Sequence, residues 1–141
     1  MKKLFYFLIL ITGITNAQIV TIPDANFKAK LIALGVDTNS DGEIQESEAL
    51  SQSNMQLSNS NITDLTGIEA FANLISLECA YNQITTLNVS GFTQLITLNC
   101  SHNQISSINF TNCPILDHIN CSFNLITLID LTGLNSVIFF Y

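Results

Sequence analysis

The chain has 141 residues, which is enough for one domain of modest size. It contains no arginine, and its formal net charge at pH 7 is −7. Nucleic acid and anionic membrane surfaces are themselves negatively charged, so an acidic chain of this kind is not expected to bind either of them.

Residues 1–17 have the pattern of a secretory signal peptide. Two lysines precede an apolar run from Leu4 to Ile11, and Thr15-Asn16-Ala17 offers a small-residue cleavage site. The alternative is a membrane anchor, but the run is much shorter than the roughly 20 apolar residues that cross a bilayer. We therefore expect a secreted or cell-surface protein with no membrane span after cleavage. Two lysines then remain against eleven acidic residues, a formal charge of −9.

Residues 18–56 are predicted to form a small helical cap. Asp24 is placed to act as the N-cap of a helix from Ala25 to Leu34, and Gly35 is placed to end it. Apolar residues at helical spacing predict one buried stripe on this helix. The stripe comprises Phe27, Leu31 and Leu34.

Residues 37–48 resemble the EF-hand calcium loop, because they match D-x-[DN]-x-[DN]-G-x5-E at every required position. A second short helix should follow, from Gln45 to Ser51. The resemblance implies oxygen ligands, which suit calcium better than a transition metal. The alternative is an acidic loop of the same shape that holds no ion. The implied ligands are Asp37, Asn39, Asp41, the main-chain carbonyl of Glu43, Gln45 directly or through water, and Glu48 with both carboxylate oxygens.

Only one such loop is present, whereas EF-hands usually work in pairs through the position held here by Ile44. The resemblance therefore argues against a calcium sensor. We expect calcium to have a structural role, attaching the cap to the rest of the fold with Ile44 facing inward.

From Leu74 onwards the sequence repeats every 21 residues as L-x-x-L-x-C-x-x-N-x-I-x-x-L-x-V, with conservative replacements. Apolar and polar residues alternate in the L-x-C segment, which predicts a short strand with Leu77 and Cys79 facing inward. This repeat resembles the leucine-rich repeat family, in particular the short-repeat internalins. The resemblance implies a mainly β solenoid of short parallel strands over residues 57–141, with about 3.5 coils.

The first coil departs from this pattern. Aligning Met55 with Leu77 requires an offset of 22 residues, and Ser60 then replaces the repeated asparagine. Terminal coils of solenoids are often atypical, because they face a cap. At the other end Phe140 aligns with Ile119, and the strand edge is expected to be open. We expect either a truncated repeat array or a second subunit that covers this edge.

Two inward columns of the repeat are predicted to stabilise it. Asparagines at one position should form a ladder that satisfies buried main-chain groups of neighbouring coils. Cysteines at another position should form a column of free thiols, with disulfides or a metal as less favoured alternatives. Cys113, which precedes Pro114, is expected in an exposed turn. The ladder residues are Asn82, Asn103 and Asn124, and the column residues are Cys79, Cys100 and Cys121.

The outward residues of the strands form the candidate binding surface, including a column of Tyr81, His102 and Phe123. The alternative for this column is that the rings only stack on one another. Ala80, Ser101 and Ser122 are also expected to face outward. No nucleophile aligns with a base, so no enzyme activity is expected. The candidate surface consists of Ser76, Glu78, Tyr81, Thr97, Asn99, His102, His118, Asn120 and Phe123.

Two functions follow from this pattern. The first is a secreted or surface module that binds a protein or glycan ligand through its strand face, with a calcium-stabilised cap. The second is a structural unit that self-associates through its open C-terminal edge without a separate ligand.

Overall fold

The protein is described from a computed structural model that covers residues 18–132, 134, 135, 139 and 140. The predicted signal peptide lies outside the described residues. This part of the chain contains two short α-helices, one turn of 3-10 helix and several strands of two or three residues. In chain order they are α1 Ala25–Ala33, α2 Glu46–Leu50, β1 Asn54–Gln56, the 3-10 helix Ile68–Ala70, β2 Ser76–Glu78, β3 Thr86–Asn88, β4 Thr97–Asn99, β5 Ser107–Asn109, β6 His118–Asn120 and β7 Phe139–Phe140.

The strands form a parallel solenoid, as predicted. One sheet has the order β1-β2-β4-β6-β7, and every neighbouring pair in it is parallel. Met55 lies opposite Leu77, and Ile119 lies opposite Phe140, so the predicted offset of 22 residues in the first coil and of 21 afterwards is confirmed. On the other side of two of the coils, β3 and β5 form a second, two-stranded parallel sheet.

The core lies between these two sheets and is built from columns of equivalent residues. Leu77, Leu98 and Ile119 are buried from one coil to the next. The prediction that Cys113 is exposed was wrong, since it is fully buried and its thiol donates to the main-chain oxygen of Val89 at 3.0 Å. Cys113 lies 21 residues after the buried Phe92, so it continues a core column although its sequence neighbours form a turn.

The cap helix α1 begins as predicted, with the Asp24 side chain accepting from the main-chain N–H of Phe27 at 2.9 Å. Its buried stripe ends earlier than predicted, because Leu34 is 44% exposed and serves as the C-cap. Gly35 adopts a positive φ of 77°, and the N–H of Val36 donates to the main-chain oxygen of Leu31 at 3.1 Å. This reversal of the chain turns Val36 into the core in place of Leu34.

Within the described residues, neither α-helix has the length and apolar character needed to cross a membrane.

Candidate binding surface and cap loop

The repeated asparagines hydrogen-bond two coils at once. The side-chain amide of Asn103 donates to the main-chain oxygens of Cys79 and Cys100, both at 3.0 Å. Its oxygen accepts from the main-chain N–H of Ile84 in the preceding coil, also at 3.0 Å. Asn124 makes the equivalent bonds one coil further on. Each asparagine therefore satisfies main-chain groups that would otherwise be buried without partners.

Asn82 makes the same connection to the irregular first coil. Its oxygen accepts from the N–H groups of Ser60 and Ile62, both at 3.0 Å, and its amide donates to the main-chain oxygen of Leu57 at 2.9 Å. Ser60 thus receives the bond through its main chain and contributes no ladder side chain of its own. The ladder begins at Asn82 and extends backwards to the cap-facing coil.

The thiols of the cysteine column are expected to be unreactive at neutral pH. All four cysteines are unpaired and buried. Burial, with the nearby charge of Glu78, raises the pKa of Cys79 to about 12. Burial and the neighbouring thiols raise the pKa of Cys100 as well. Because the thiolate is the nucleophile and metal ligand, these side chains act at neutral pH as small apolar core residues.

On the strand face, Tyr81, His102 and Phe123 form a continuous stack. Ring centroids lie 4.2 Å apart in both pairs, and the rings are tilted by only 9° and 13°. Tyr81 is 55% exposed and Phe123 is 73% exposed. The rings cover one another's faces, so the column presents mainly ring edges to solvent, and these carry the positive end of the aromatic quadrupole.

The backbone of this column is unusual. Tyr81, His102 and Phe123 have φ values of 56°, 55° and 55°, and Asn59, the equivalent residue of the first coil, has 55°. Left-handed backbone is uncommon for bulky side chains, whereas asparagine tolerates it well. The turn that leaves each strand requires this conformation. The aromatic rings are therefore present in spite of the local backbone preference.

The rest of the predicted surface is flatter. A shallow groove of about 440 Å³ runs across the strands, lined by residues such as Glu78, Thr97 and His118. Asn99 and Asn120 accept from Ser101 and Ser122, both from the main-chain N–H and from the hydroxyl. Ser76, Glu78, Thr97, Asn99 and Asn120 are half-buried, and His118 is exposed beside Asp117.

One outward column was predicted wrongly. Ala80 and Ser101 are buried, being 3% and 4% exposed. The strands end at Glu78 and Asn99, so the alternation of inward and outward residues stops before these positions. The left-handed turn then brings the next residue outward in their place.

The cap loop is closed by its own polar side chains. The carboxylate oxygens of Asp37 accept from the N–H groups of Asp41 and Gly42, at 3.2 and 3.0 Å. The Asn39 side-chain oxygen accepts from the N–H of Asp41 at 2.9 Å, and the Asp41 carboxylate accepts from the N–H of Glu43 at 2.8 Å. The Glu43 side chain is paired with Lys28 outside the loop at 2.7 Å.

Glu48 is buried and joins the two ends of the loop. One carboxylate oxygen accepts from the N–H and the hydroxyl of Thr38, each at 2.7 Å, and the other accepts from the N–H of Gln45 at 3.0 Å. Burial alone raises the pKa of Glu48, but these hydrogen bonds outweigh it and hold the pKa below its ordinary value. Glu48 is thus kept ionised within the fold.

The donor set fits calcium in its chemistry, since every implied ligand offers oxygen. The arrangement differs from a preformed site: no three acidic, histidine or cysteine side chains of the described residues converge closely enough to hold a metal. Gln45 is buried and donates to Asp41 at 2.9 Å, while Glu48 is bonded to Thr38. Calcium would therefore compete with Thr38 for the Glu48 carboxylate.

Sequence reasoning missed the second role of Asp24. Besides capping α1, its carboxylate accepts from the N–H and hydroxyl of Thr63, at 2.9 and 2.7 Å, and from the N–H of Asp64 at 3.1 Å. One side chain therefore joins the cap helix to the first coil. The partners lie 39 and 40 residues away in segments that do not repeat, so no spacing in the sequence points to them.

No protein-family model matches the chain. Internalin J of Listeria monocytogenes serotype 4b (strain F2365) is 37% identical to it over 68 residues, which are 48% of this chain and 7% of internalin J. The solved functional domain of InlJ from Listeria monocytogenes, which includes a cysteine ladder, superposes with a TM-score of 0.76 at 31% identity. That alignment covers 88% of this chain and 28% of the InlJ chain.

A second solved structure, of the CBM51-2 and INT domains of ZmpB from Clostridium perfringens, has a TM-score of 0.53 and 26% identity, covering 64% of this chain and 19% of that one. The chain thus spans less than a third of the length of each of these proteins. The similarity to InlJ and the parallel register together identify an internalin-like repeat fold, mainly β, with the cysteine column as a comparable arrangement.

Proposed function

We propose that this internalin-like repeat chain is a secreted or cell-surface binding module that recognises a protein ligand through its strand face. The aromatic stack of Tyr81, His102 and Phe123 carries the proposal. Exposed aromatic side chains are enriched at protein interfaces, and here they are held rigidly by stacking, which lowers the entropy lost on binding. The similarity to the InlJ functional domain supports the same function.

A protein ligand suits the stack better than a glycan. The three rings cover one another's faces, which leaves the ring edges and the outer faces at the two ends of the stack, on Tyr81 and Phe123, for contact. Ring edges attract main-chain and carboxylate oxygens, both abundant on protein surfaces. A glycan ligand is the alternative, and it would use the hydroxyl and amide groups that line the groove beside Thr97.

The binding test uses labelled protein on arrays of purified surface proteins and of glycans. The variant Tyr81→Asn/His102→Asn keeps a residue that tolerates left-handed backbone, as Asn59 does in the first coil. We expect it to lose about tenfold or more in affinity for any ligand found, as expected for central aromatic contacts. The control, Thr86→Asn/Ser107→Asn, alters exposed residues of the opposite sheet and should bind normally.

Equal binding by both variants would contradict the proposal that the ligand binds to the strand face. Failure of the unaltered protein to bind any protein or glycan at tens of micromolar would remove the binding function. Signal on the glycan array alone would select the alternative ligand class.

The second part of the proposal is that calcium stabilises the cap through the loop of residues 37–48. The support is the match to the calcium-loop pattern and an all-oxygen donor set that is already folded into a closed loop. Bound calcium would supply positive charge among these carboxylates. Asp37, Asn39, Asp41, Gln45 and Glu48 would hold it with side-chain oxygens, and Glu43 with its main-chain oxygen.

A second candidate function is self-association through the last described coil. Leu128 is 84% exposed there, beside an open groove of about 330 Å³ formed by residues 121–124 and 126–129. Exposed apolar residues in one region favour contact with another surface. Sedimentation over a concentration series tests this function. A concentration-dependent dimer that Leu128→Asp abolishes would support it, and a monomer at tens of micromolar would exclude it.

A further inference from the structure

The segment that leads into the cap, residues 18–22 (the strap), is extended. The N–H of Val20 donates to the main-chain oxygen of Ile44, and the N–H of Glu46 donates to the main-chain oxygen of Gln18, both at 2.8 Å. These two bonds enclose an antiparallel bridge between Ile19 and Gln45. The strap is therefore paired with the second half of the cap loop, which the sequence alone leaves without a partner strand.

The other side of the strap touches the first coil. A Cβ atom at Gly67 would lie 2.7 Å from the main-chain oxygen of Thr21 and 2.9 Å from a side-chain carbon of Ile22. Gly67 also has a φ of +101°, which L side chains rarely adopt. Only glycine allows this close approach, so the strap lies between the cap loop and the first coil.

The ends of the strap are fixed as well. Val20 is buried, and Ile22 packs against the core. Two residues later, Asp24 caps α1 and accepts from Thr63 and Asp64 of the first coil. The strap is consequently held by the cap loop, by Gly67 and by Asp24 at once.

We propose that the strap is the second strand of the cap loop and fixes the segment 44–46, so that the loop opens when the strap is released. Three of the six proposed calcium ligands, Glu43, Gln45 and Glu48, flank or lie within this segment. The strap therefore also sets the calcium affinity of the loop. The effect of the strap on calcium affinity rests on the calcium part of the proposed function, whereas its hold on segment 44–46 does not.

The experiment compares Val20→Pro with Ile19→Pro. Proline at 20 removes the N–H that donates to Ile44, while proline at 19 removes an N–H that makes neither bond of the bridge. The first measurement is hydrogen exchange at the Glu46 amide in the presence of a chelator. We expect it to accelerate about tenfold or more in Val20→Pro, because its acceptor on Gln18 moves away, and to change little in Ile19→Pro.

The second measurement is calcium titration by calorimetry. Val20→Pro should bind calcium about 3- to 10-fold more weakly than Ile19→Pro, the equilibrium equivalent of one hydrogen bond. Equal protection of the Glu46 amide in the two variants would overturn the proposal. If protection of the Glu46 amide differs between the variants as expected but the unaltered protein binds no calcium, the strap still fixes segment 44–46 and the calcium function is contradicted.

Val20 is a core residue, so its replacement also disturbs packing, and a second variant is needed to separate the two effects. Gly67→Ala provides a second variant that leaves both bridge donors in place and displaces the strap by steric contact. It should accelerate exchange at Glu46 in the same way. Unchanged exchange in Gly67→Ala, with a retained solenoid spectrum in circular dichroism, would contradict the proposal independently.

Discussion

At the residue scale, one asparagine in each regular coil hydrogen-bonds main-chain groups of two coils. Replacing Asn103 by alanine leaves the buried N–H of Ile84 without its partner. It also removes one of the two asparagine donors from the main-chain oxygens of Cys79 and Cys100, which keep Asn82 and Asn124 respectively. We expect a loss of about 1–3 kcal/mol in the free energy of unfolding, the cost of leaving buried main-chain groups unsatisfied. Urea denaturation measures it.

The control is Asn109→Ala. Asn109 is exposed, and its side chain accepts one bond from the N–H of Thr111 at 3.0 Å. Its replacement should cost about 0.5–1.5 kcal/mol at most, because water can satisfy that N–H. If the two variants unfold at the same urea concentration, the ladder does not contribute to stability as described.

The hydrogen bonds of the Asp24 carboxylate predict that the stability of the protein depends on pH. Partial burial raises its pKa, but the hydrogen bonds from Thr63, Phe27 and Asp64 outweigh burial and hold the pKa below the ordinary value of 3.8. A carboxylate whose pKa is lowered by folding stabilises the fold above its unfolded pKa, and this stability is lost as pH falls through the folded pKa.

Asp24→Asn should therefore be less stable than the unaltered protein at pH 7, and the difference should disappear progressively below pH 3.8. Denaturation in chelator between pH 7 and pH 2 measures the difference. Glu46→Gln, which neutralises an exposed side chain of α2, should not reproduce this pH dependence. A difference that persists unchanged at pH 2 would contradict the role assigned to the Asp24 carboxylate.

At the scale of the element, two neighbouring coils place a large and a small side chain in opposite order at the same two buried columns. One coil has Val89 with Phe92, and the next has Phe110 with Cys113. Each coil thus fills the two places with one phenylalanine and one smaller side chain. Such an exchange maintains the packing density that protein interiors require.

The exchange predicts coupling between these positions. Cys113→Phe alone should overpack the core by about 1–3 kcal/mol, and Phe110→Val alone should leave a cavity that costs about 2 kcal/mol. The double variant restores the pattern of the preceding coil and should be more stable than the sum of the two changes, by about 0.5–3 kcal/mol. Additive losses in urea denaturation would contradict this account.

The repeat register could be predicted from the sequence because a 21-residue period and strict alternation act together. Leu77 opposite Leu98 follows from these two patterns alone, whereas Met55 opposite Leu77 also requires one inserted residue in the first coil. The position of Cys113 also follows from the period, but the turn residues around it suggested exposure. The contacts of Asp24 with Thr63 and of Val20 with Ile44 join segments that do not repeat, so neither period nor composition indicates them.

At the scale of the whole molecule, the proposed calcium site in the cap predicts that the melting temperature depends on calcium. With a dissociation constant of about 10⁻⁴ M, as in extracellular modules, about 1 mM calcium adds roughly 1.4 kcal/mol by linkage. That corresponds to a rise of about 5 °C in melting temperature for a domain of this size. Calorimetric melting in calcium and in chelator measures the rise.

Asp37→Asn is the matched variant for this measurement, because it preserves the size of the side chain and removes its charge. It should melt at nearly the same temperature in calcium and in chelator. Identical melting of the unaltered protein in the two buffers would remove the calcium part of the proposed function.

The column of unpaired thiols affects how such a protein can change in length. Domains held together by disulfides gain or lose half-cystines two at a time, since an odd one is left reactive. Here each regular coil adds one cysteine to the column, and burial raises the pKa of the thiol, as for Cys79 and Cys100, so that it stays protonated at neutral pH. The coil of Cys100 also contains Cys113, which is buried and whose pKa is raised in the same way. Duplication or loss of a single 21-residue unit therefore leaves no reactive unpaired thiol, and arrays with odd and even numbers of units are equally permissible.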